Sequence, residues 1–117
     1  MRIIGGRNRG RKLVLPDEAY TRPTTDRVRE AIFNILLHHP AVRLQGSRVL
    51  DGFAGSGAMG LEALSRGALH VTFVEHQLNV AKVLQQNIEG LANKNHVKLI
   101  HGDLLKIKTA AYPMDLV

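Results

Sequence analysis

The order of apolar and polar residues after position 44 alternates between two patterns. Short apolar runs predict buried strands over residues 48–53, 70–75 and 97–100. Helical spacing between these runs predicts one helix over residues 58–66, with Gly67 at its C-terminal cap, and a second over residues 80–91. Strands that alternate with helices are typical of a parallel sheet with right-handed crossovers, so we expect an α/β, Rossmann-like fold.

The first 15 residues carry a different pattern. Two short apolar runs, Ile3-Ile4 and Leu13–Leu15, flank a tip that is rich in glycine, asparagine and arginine. This arrangement predicts a β-hairpin with a basic turn, followed by a connecting loop over residues 16–23.

An apolar stripe predicts a helix after this loop. Thr24, Thr25 and Asp26 supply its N-terminal cap and first turn, and Pro40 ends it. The stripe consists of Val28, Ala31, Ile32, Ile35 and Leu36. Phe33 and Arg29 lie off the stripe, and we expect packing for the first and function for the second. The predicted organisation is a hairpin and helix extension over residues 1–43, followed by an α/β part over residues 44–117.

The net charge of +6 is concentrated in the extension. Residues 1–43 contain nine lysines and arginines against four acidic residues, whereas residues 44–117 contain seven against six. A basic segment ahead of a nearly neutral body favours a polyanionic partner, nucleic acid above all, although a solvated basic tail would look the same. No apolar run is long enough for a membrane helix, the start is too short for a signal peptide, and cysteine is absent. We therefore expect a cytoplasmic protein with no membrane partner and no obligate protein partner.

The first predicted strand leads into a glycine-rich turn. Gly55, Gly57 and Gly60 match the G-x-G-x-x-G pattern of dinucleotide-binding turns. Asp51, four residues ahead of the first glycine, argues against a dinucleotide because its carboxylate would repel a pyrophosphate. It would instead attract the cationic end of S-adenosylmethionine. The alternative is a strand-to-helix turn in which Asp51 caps the helix, and we expect Ser56 to be a helix cap rather than a nucleophile.

Two more acids follow the next strands. Glu75 ends the second predicted strand, where it could accept both ribose hydroxyls, and Asp103 follows the third, where it could accept the amine of adenine. Three acids at successive strand ends lie on the edge where such folds bind ligands. The predicted cofactor-binding set is Asp51, Gly52, Phe53, Ala54, Gly55, Ser56, Gly57, Glu75, His76, Asp103 and Leu104. The six histidines show no ligand spacing, so we expect no metal.

Two stretches resemble a known family. Residues 51–68, DGFAGSGAMGLEALSRGA, are similar to the first cofactor motif of the RsmD family, bacterial 16S ribosomal RNA guanine-N2 methyltransferases. Residues 2–6 and 21–34 also resemble that family, and the second of these stretches is absent from generic methyltransferases.

This resemblance implies a class I methyltransferase fold and methyl transfer from S-adenosylmethionine to the N2 amine of a guanine in small-subunit ribosomal RNA. It also implies that ribosomal RNA or the small subunit is the partner. The residues expected to contact RNA or border the active site are Arg7, Arg9, Arg11, Lys12, Arg22, Thr24, Arg27 and Arg29.

One departure from the family concerns the catalytic residues. The family's Asp/Asn-Pro-Pro-aromatic loop, which follows a fourth strand, is not found among these residues; residues 104–110 predict one or two helical turns, and residues 115–117 only begin such a strand. We therefore expect the catalytic loop to lie beyond Val117, which leaves no catalytic residue within the chain. We also expect a sheet that is incomplete at the C-terminus and no turnover by the chain alone. Two other functions stay open: a methyltransferase acting on DNA or a small-molecule amine, and a non-catalytic RNA-binding module.

Overall fold

The computed structural model describes residues 1–15, 25–52 and 54–103. Three α-helices are present in this part of the chain: α1 (Asp26–His38), α2 (Ala58–Ser65) and α3 (Leu78–Leu91). Its strands are β1 (Arg48–Asp51), β2 (His70–Glu75) and β3 (Val97–His101), and a short 3-10 helix at Lys94–His96 precedes β3. The helix predicted after residue 25 and the strands and helices predicted between residues 48 and 100 are therefore confirmed, with boundaries that shift by one or two residues. None of the helices in these ranges is both long and apolar enough to cross a membrane.

The three described strands form one parallel sheet in the order β1-β2-β3. Helices α2 and α3 each carry the chain back to the amino end of the next strand. The carboxyl ends of all three strands therefore lie along the same edge of the sheet. Val71 and Phe73 of β2 are fully buried and belong to the same core cluster as Leu61 of α2 and Leu84 of α3. This packing fixes the carboxyl ends of β1 and β2, where Asp51 and Glu75 lie.

The N-terminal segment turns back on itself as predicted, but neither arm forms a strand. A single antiparallel bridge joins Arg2 to Lys12, and the Leu13 N–H donates to the Met1 carbonyl oxygen at 2.9 Å. Ile3 and Leu13 are buried in the same cluster as Val71. The segment is therefore held by its packing on the α/β part and not by a ladder of its own.

Helix α1 turns a different face to the core from the one predicted. Val28 and Ile35 of the predicted apolar stripe are 50% and 67% exposed, whereas Arg29 and Phe33 are buried. The expectation that Phe33 packs is confirmed, and the Arg66 guanidinium lies 5.3 Å from the centre of its ring. The predicted buried face of α1 was wrong because the spacing of apolar residues does not reveal that an arginine is buried in an ion pair with a carboxylate.

That carboxylate belongs to Glu62 of α2, which is fully buried and joins three segments. Its Oε1 accepts hydrogen bonds from the Ile4 N–H at 2.9 Å and from Arg29 Nε at 3.0 Å. Its Oε2 accepts from the Gly5 N–H at 2.9 Å and from Arg66 Nε at 2.8 Å. Glu62 therefore fastens both the N-terminal segment and α1 to α2 through one side chain.

Some of the predicted features fall outside the described residues. They are the connecting loop over residues 16–23, the helical turns over 104–110, the beginning of a fourth strand over 115–117, and the site residues Arg22, Thr24, Phe53 and Leu104. Val117 also lies outside the described residues. The expected place of the catalytic loop is not tested by the structure and stays a prediction.

Candidate cofactor-binding site

Asp51 is the last residue of β1 and holds the start of α2. Its Oδ2 accepts the Gly60 N–H at 3.1 Å, so it satisfies one of the free amides in the first turn of that helix. Burial and repulsion from Glu75 raise the pKa of Asp51 to about 6, against the lowering effect of the Gly60 hydrogen bond. The helix-capping alternative is thus present in the structure. This hydrogen bond uses only Oδ2 of the carboxylate.

Glu75 ends β2, and its carboxylate connects this strand to the glycine turn. Oε1 accepts the Gly55 N–H at 3.0 Å and Oε2 accepts the Gln77 N–H at 2.9 Å. The side chain is only 6% exposed, and each oxygen keeps a second lone pair. Glu75 is therefore fixed in place by backbone donors and can still accept further hydroxyl groups.

The three glycines of the turn have different roles. A Cβ at Gly57 would lie 2.4 Å from Leu84 Cδ1, and one at Gly60 would lie 2.3 Å from Phe73 Cε1, so these two glycines allow α2 to approach α3 and the sheet. A Cβ at Gly55 would meet nothing within 4 Å. Of the three, Gly55 alone therefore has the open side that a ligand requires, whereas Gly57, which is also in the predicted cofactor-binding set, packs against α3. The expected cap at Ser56 is also wrong, because Gly57, which has no side chain, occupies the N-cap position of α2, and the side chain that bonds to the first turn is that of Asp51.

Asp103 and His76 lie at the same edge of the sheet. His101 of β3 pairs with Glu75, and the Gly102 N–H donates to the Glu75 carbonyl oxygen at 3.0 Å, which brings the exposed Asp103 beside the end of β2. His76 is largely exposed, and its Nδ1 lies 3.6 Å from Glu75 Oε2. The structure therefore gathers Asp51, Glu75 and Asp103 at one edge.

A metal site was not expected from the sequence. Within the described ranges, no group of three acids or histidines could hold a metal ion.

The basic tip of the N-terminal segment, residues 5–12, lies near the amino ends of the strands, where α2 and α3 end. The Arg7 N–H donates to the Ser65 carbonyl oxygen at the end of α2, and Asn8 Nδ2 donates to the Leu91 carbonyl oxygen at the end of α3. Arg11 Nη2 donates to the Gly90 carbonyl oxygen at 3.1 Å. Among the candidates for RNA contact, Arg7, Arg9, Arg11, Lys12 and Arg27 are exposed.

Arg29 cannot contact a phosphate in this structure. Its side chain is fully buried, with Nε on Glu62 and Nη2 on both Asp26 Oδ1 and the Arg2 carbonyl oxygen. Because its guanidinium is buried and bonded to these carboxylates, Arg29 joins α1 to α2 and is not available for RNA contact, which was one of its two expected roles.

Glu62 and Asn87 are among the buried polar residues that the sequence reasoning missed. Asn87 lies between Leu84 and Ile88 on the buried face of α3 and is itself buried. A polar residue on an otherwise apolar helical face was the available signal, since such a side chain requires a hydrogen-bonding partner in the core.

The raised pKa of Asp51 predicts a pH dependence of ligand binding. Protonation below pH 6 removes the charge that attracts a cation, so the affinity for S-adenosylhomocysteine, which carries an ammonium group, should fall by roughly tenfold between pH 7.5 and pH 5. Calorimetric titration across this range measures it. The Asp51→Asn variant keeps an acceptor for Gly60 and should show no step near pH 6, and a step retained in that variant would assign the titration to another group.

A parallel sheet with a glycine turn after its first strand and carboxylates at its strand ends defines a Rossmann-like domain of the class I methyltransferase type. A family model described as "Conserved hypothetical protein 95" matches residues 1–117. The chain belongs to this family, the RsmD family.

Individual relatives agree with this membership. The chain is 50% identical over 95 residues to ribosomal RNA small subunit methyltransferase D of Escherichia coli K12, a match that covers 81% of this chain and 46% of the relative. The enzyme of the same name from Buchnera aphidicola of Acyrthosiphon pisum is 37% identical, with 98% and 59% covered. The solved structure of E. coli yhhF, named as a candidate methyltransferase, superposes with a TM-score of 0.76 at 42% identity and covers 90% of this chain and 54% of that one. The chain thus spans about half the length of the relatives it matches.

Proposed function

We propose that this chain forms the cofactor-binding part of an enzyme that transfers a methyl group from S-adenosylmethionine to the exocyclic N2 amine of a guanine in small-subunit (16S) ribosomal RNA. The observation that carries the proposal is the pair of carboxylates, Asp51 and Glu75, at neighbouring strand ends beside the open side of Gly55. The name of the E. coli relative supports ribosomal RNA as the substrate.

The charge at this edge favours a cationic ligand over a dinucleotide. Asp51 and Glu75 already repel each other, and this repulsion contributes to the raised pKa of Asp51. A pyrophosphate at the turn would add further negative charge to a partly buried site, where charges are weakly screened. A ligand with an ammonium group and a sulfonium would relieve the repulsion instead.

The residues fit the separate parts of S-adenosylmethionine. Asp51 would attract the ammonium of its methionine part, and Glu75 would accept the ribose hydroxyls with its remaining lone pairs. Asp103 would accept the adenine amine at the end of β3. The rest of the proposed set comprises Gly52, Phe53, Ala54, Gly55, Ser56, Gly57, His76 and Leu104.

The bound cofactor supplies a methyl group on a sulfonium that is already activated for in-line displacement. The residues of this chain would bind and orient the donor, since positioning is the main contribution such a reaction requires. The acceptor for the hydrogens of the guanine amine belongs to the Asp/Asn-Pro-Pro-aromatic loop, whose sequence is not among these 117 residues. We therefore expect this chain alone to bind the cofactor without turnover.

The exposed cations of the N-terminal segment would position the RNA through its phosphates. Arg7, Arg9 and Lys12 are the best candidates, because Arg11 is already bonded to the end of α3. These three residues would be replaced by glutamine in a longer protein, in which this chain is joined to the half of its E. coli relative that contains the catalytic loop. The replacement should weaken RNA binding and reduce the slope of log affinity against log salt by roughly 0.7–0.9 per lost contact. Filter binding at several salt concentrations measures the slope, with Lys82→Gln, an exposed position on α3, as the control. An unchanged slope would show that these three cations do not contact RNA phosphates.

Methyl transfer by a chimera tests the proposal as a whole. This chain would be joined in register to the remaining half of its E. coli relative and incubated with unmodified small subunits and labelled S-adenosylmethionine. Digestion of the RNA to nucleosides should yield labelled N2-methylguanosine. Label in adenine or in no RNA nucleoside, from a chimera that binds S-adenosylhomocysteine, would contradict the proposed substrate. Label incorporated by the 117-residue chain alone over many turnovers would contradict the assignment of the catalytic loop.

A further inference from the structure

Asn87 on α3 makes three hydrogen bonds that join two distant parts of the chain. Its Nδ2 donates to the carbonyl oxygens of Val14 and Ser56, both at 2.8 Å. Its Oδ1 accepts the Val14 N–H at 2.8 Å. The side chain is buried, so both of its N–H groups are satisfied by the backbone and not by water.

The orientation of this amide follows from its partners. Two carbonyl oxygens face the nitrogen and one N–H faces the oxygen, so a flipped amide would lose all three bonds. Towards Val14, the amide acts like a peptide group of an adjacent strand, since it pairs with both the N–H and the carbonyl oxygen of one residue. The Val14 side chain is 50% exposed, so its backbone bonds to Asn87 hold this residue in place.

On its other side, Asn87 fixes one peptide of the glycine turn. The Ser56 carbonyl oxygen bonds to Asn87, and the N–H of the same peptide, that of Gly57, donates to the Ala54 carbonyl oxygen at 2.8 Å. This peptide plane is therefore held from both ends. Neighbouring Gly55, whose N–H is bound by Glu75, is the position with the open side.

We propose that Asn87 is a positioning residue that couples the N-terminal basic segment to the cofactor turn, so that binding at the turn is transmitted to Val14. This inference rests on the proposed function, because it takes S-adenosylmethionine as the ligand of the turn. Val14 lies just before residue 16, where the stretch that contains Arg22 and Thr24 begins. The coupling therefore links the donor site to the segment that is proposed to contact RNA.

Amide hydrogen exchange on the purified 117-residue protein tests the coupling. Saturating S-adenosylhomocysteine should slow exchange of the Gly57 amide and, through Asn87, slow that of Val14 by about fivefold or more, the lower range of coupling between sites. In Asn87→Asp, which keeps an acceptor for the Val14 N–H but loses both donors, the Gly57 amide should still respond to the ligand, whereas the response at Val14 should fall below about twofold. A residue that only stabilises the fold would change exchange rates without changing the response to the ligand.

Gln86→Glu is the matched control, because it makes the same amide-to-carboxylate change at the adjacent, exposed position of α3. It should retain the wild-type response at both amides. The wild-type measurement stands without any variant: a Val14 amide that does not respond while Gly57 is slowed overturns the coupling. A full response at Val14 in folded Asn87→Asp also overturns it. If neither amide responds in the wild type, the proposed cofactor is wrong and the inference fails with it. The response of the Gly57 amide thus distinguishes failure of the proposed cofactor from failure of the coupling alone.

Discussion

Replacing Glu62 by glutamine is expected to lower the free energy of unfolding by about 3–5 kcal/mol, a large share of the total for a small domain. Four donors converge on this carboxylate, two on each oxygen. Glutamine would turn an NH₂ group towards one of these pairs and remove the charge that compensates Arg29 in the interior. The midpoint of urea unfolding measures the loss.

Glu30→Gln provides the control for this change, since it makes the same substitution at an exposed position of α1. Its midpoint should lie close to that of the wild type. A Glu62→Gln midpoint that is also unchanged would show that the Glu62 network does not hold the N-terminal segment and α1 on the domain.

The same network predicts how stability responds to acid. Burial acts to raise the pKa of Glu62, but hydrogen bonds from the Ile4 N–H, Arg66, the Gly5 N–H and Arg29 outweigh it, so the pKa lies below its ordinary value of 4.5. The unfolded chain therefore takes up this proton at a higher pH than the folded one. The contribution of Glu62 is complete above pH 4.5 and is lost as the pH falls through its folded pKa, and Glu62→Gln should lack this loss.

Replacing Glu75 by glutamine is expected to weaken S-adenosylhomocysteine binding by roughly a hundredfold, which corresponds to about 3 kcal/mol. The variant loses the charged acceptor proposed for the ribose hydroxyls. It also turns an NH₂ group towards either the Gly55 or the Gln77 N–H, which distorts the glycine turn. Calorimetric titration measures the affinity, after circular dichroism has established that the variant is folded at the temperature used.

Glu89→Gln is the control for Glu75, because Glu89 is an exposed carboxylate on α3 that bonds only to Gln85 among the bonds described. Its affinity for the ligand should equal that of the wild type. A folded Glu75→Gln protein that binds within threefold of the wild type would remove Glu75 from the proposed ribose site.

The sheet and the edge that carries the acids could be predicted from the sequence because both depend on local patterns. Short apolar runs separated by helical spacing define β1, β2 and β3, and acids that directly follow such runs must lie at one edge of a parallel sheet. The positions of Asp51, Glu75 and Asp103 therefore followed from the order of the chain alone.

The parts that could not be predicted depend on contacts between distant residues. Arg29 is buried because it meets Glu62, 33 positions away, and Asn87 is buried because it meets Val14, 73 positions away. Apolar periodicity assigns such residues to the surface, which is why α1 was placed with the wrong face inward. The separate roles of the glycines also depend on Leu84 and Phe73, which approach the turn only in the folded chain.

The central claim is that the acidic edge of this sheet binds S-adenosylmethionine and not a dinucleotide. A calorimetric titration of the 117-residue protein at pH 7.5, first with S-adenosylhomocysteine and in parallel with NADH, tests it most directly. The account predicts binding of S-adenosylhomocysteine to one site per chain and no measurable binding of NADH at the same concentrations. Tight binding of NADH without binding of S-adenosylhomocysteine would contradict it.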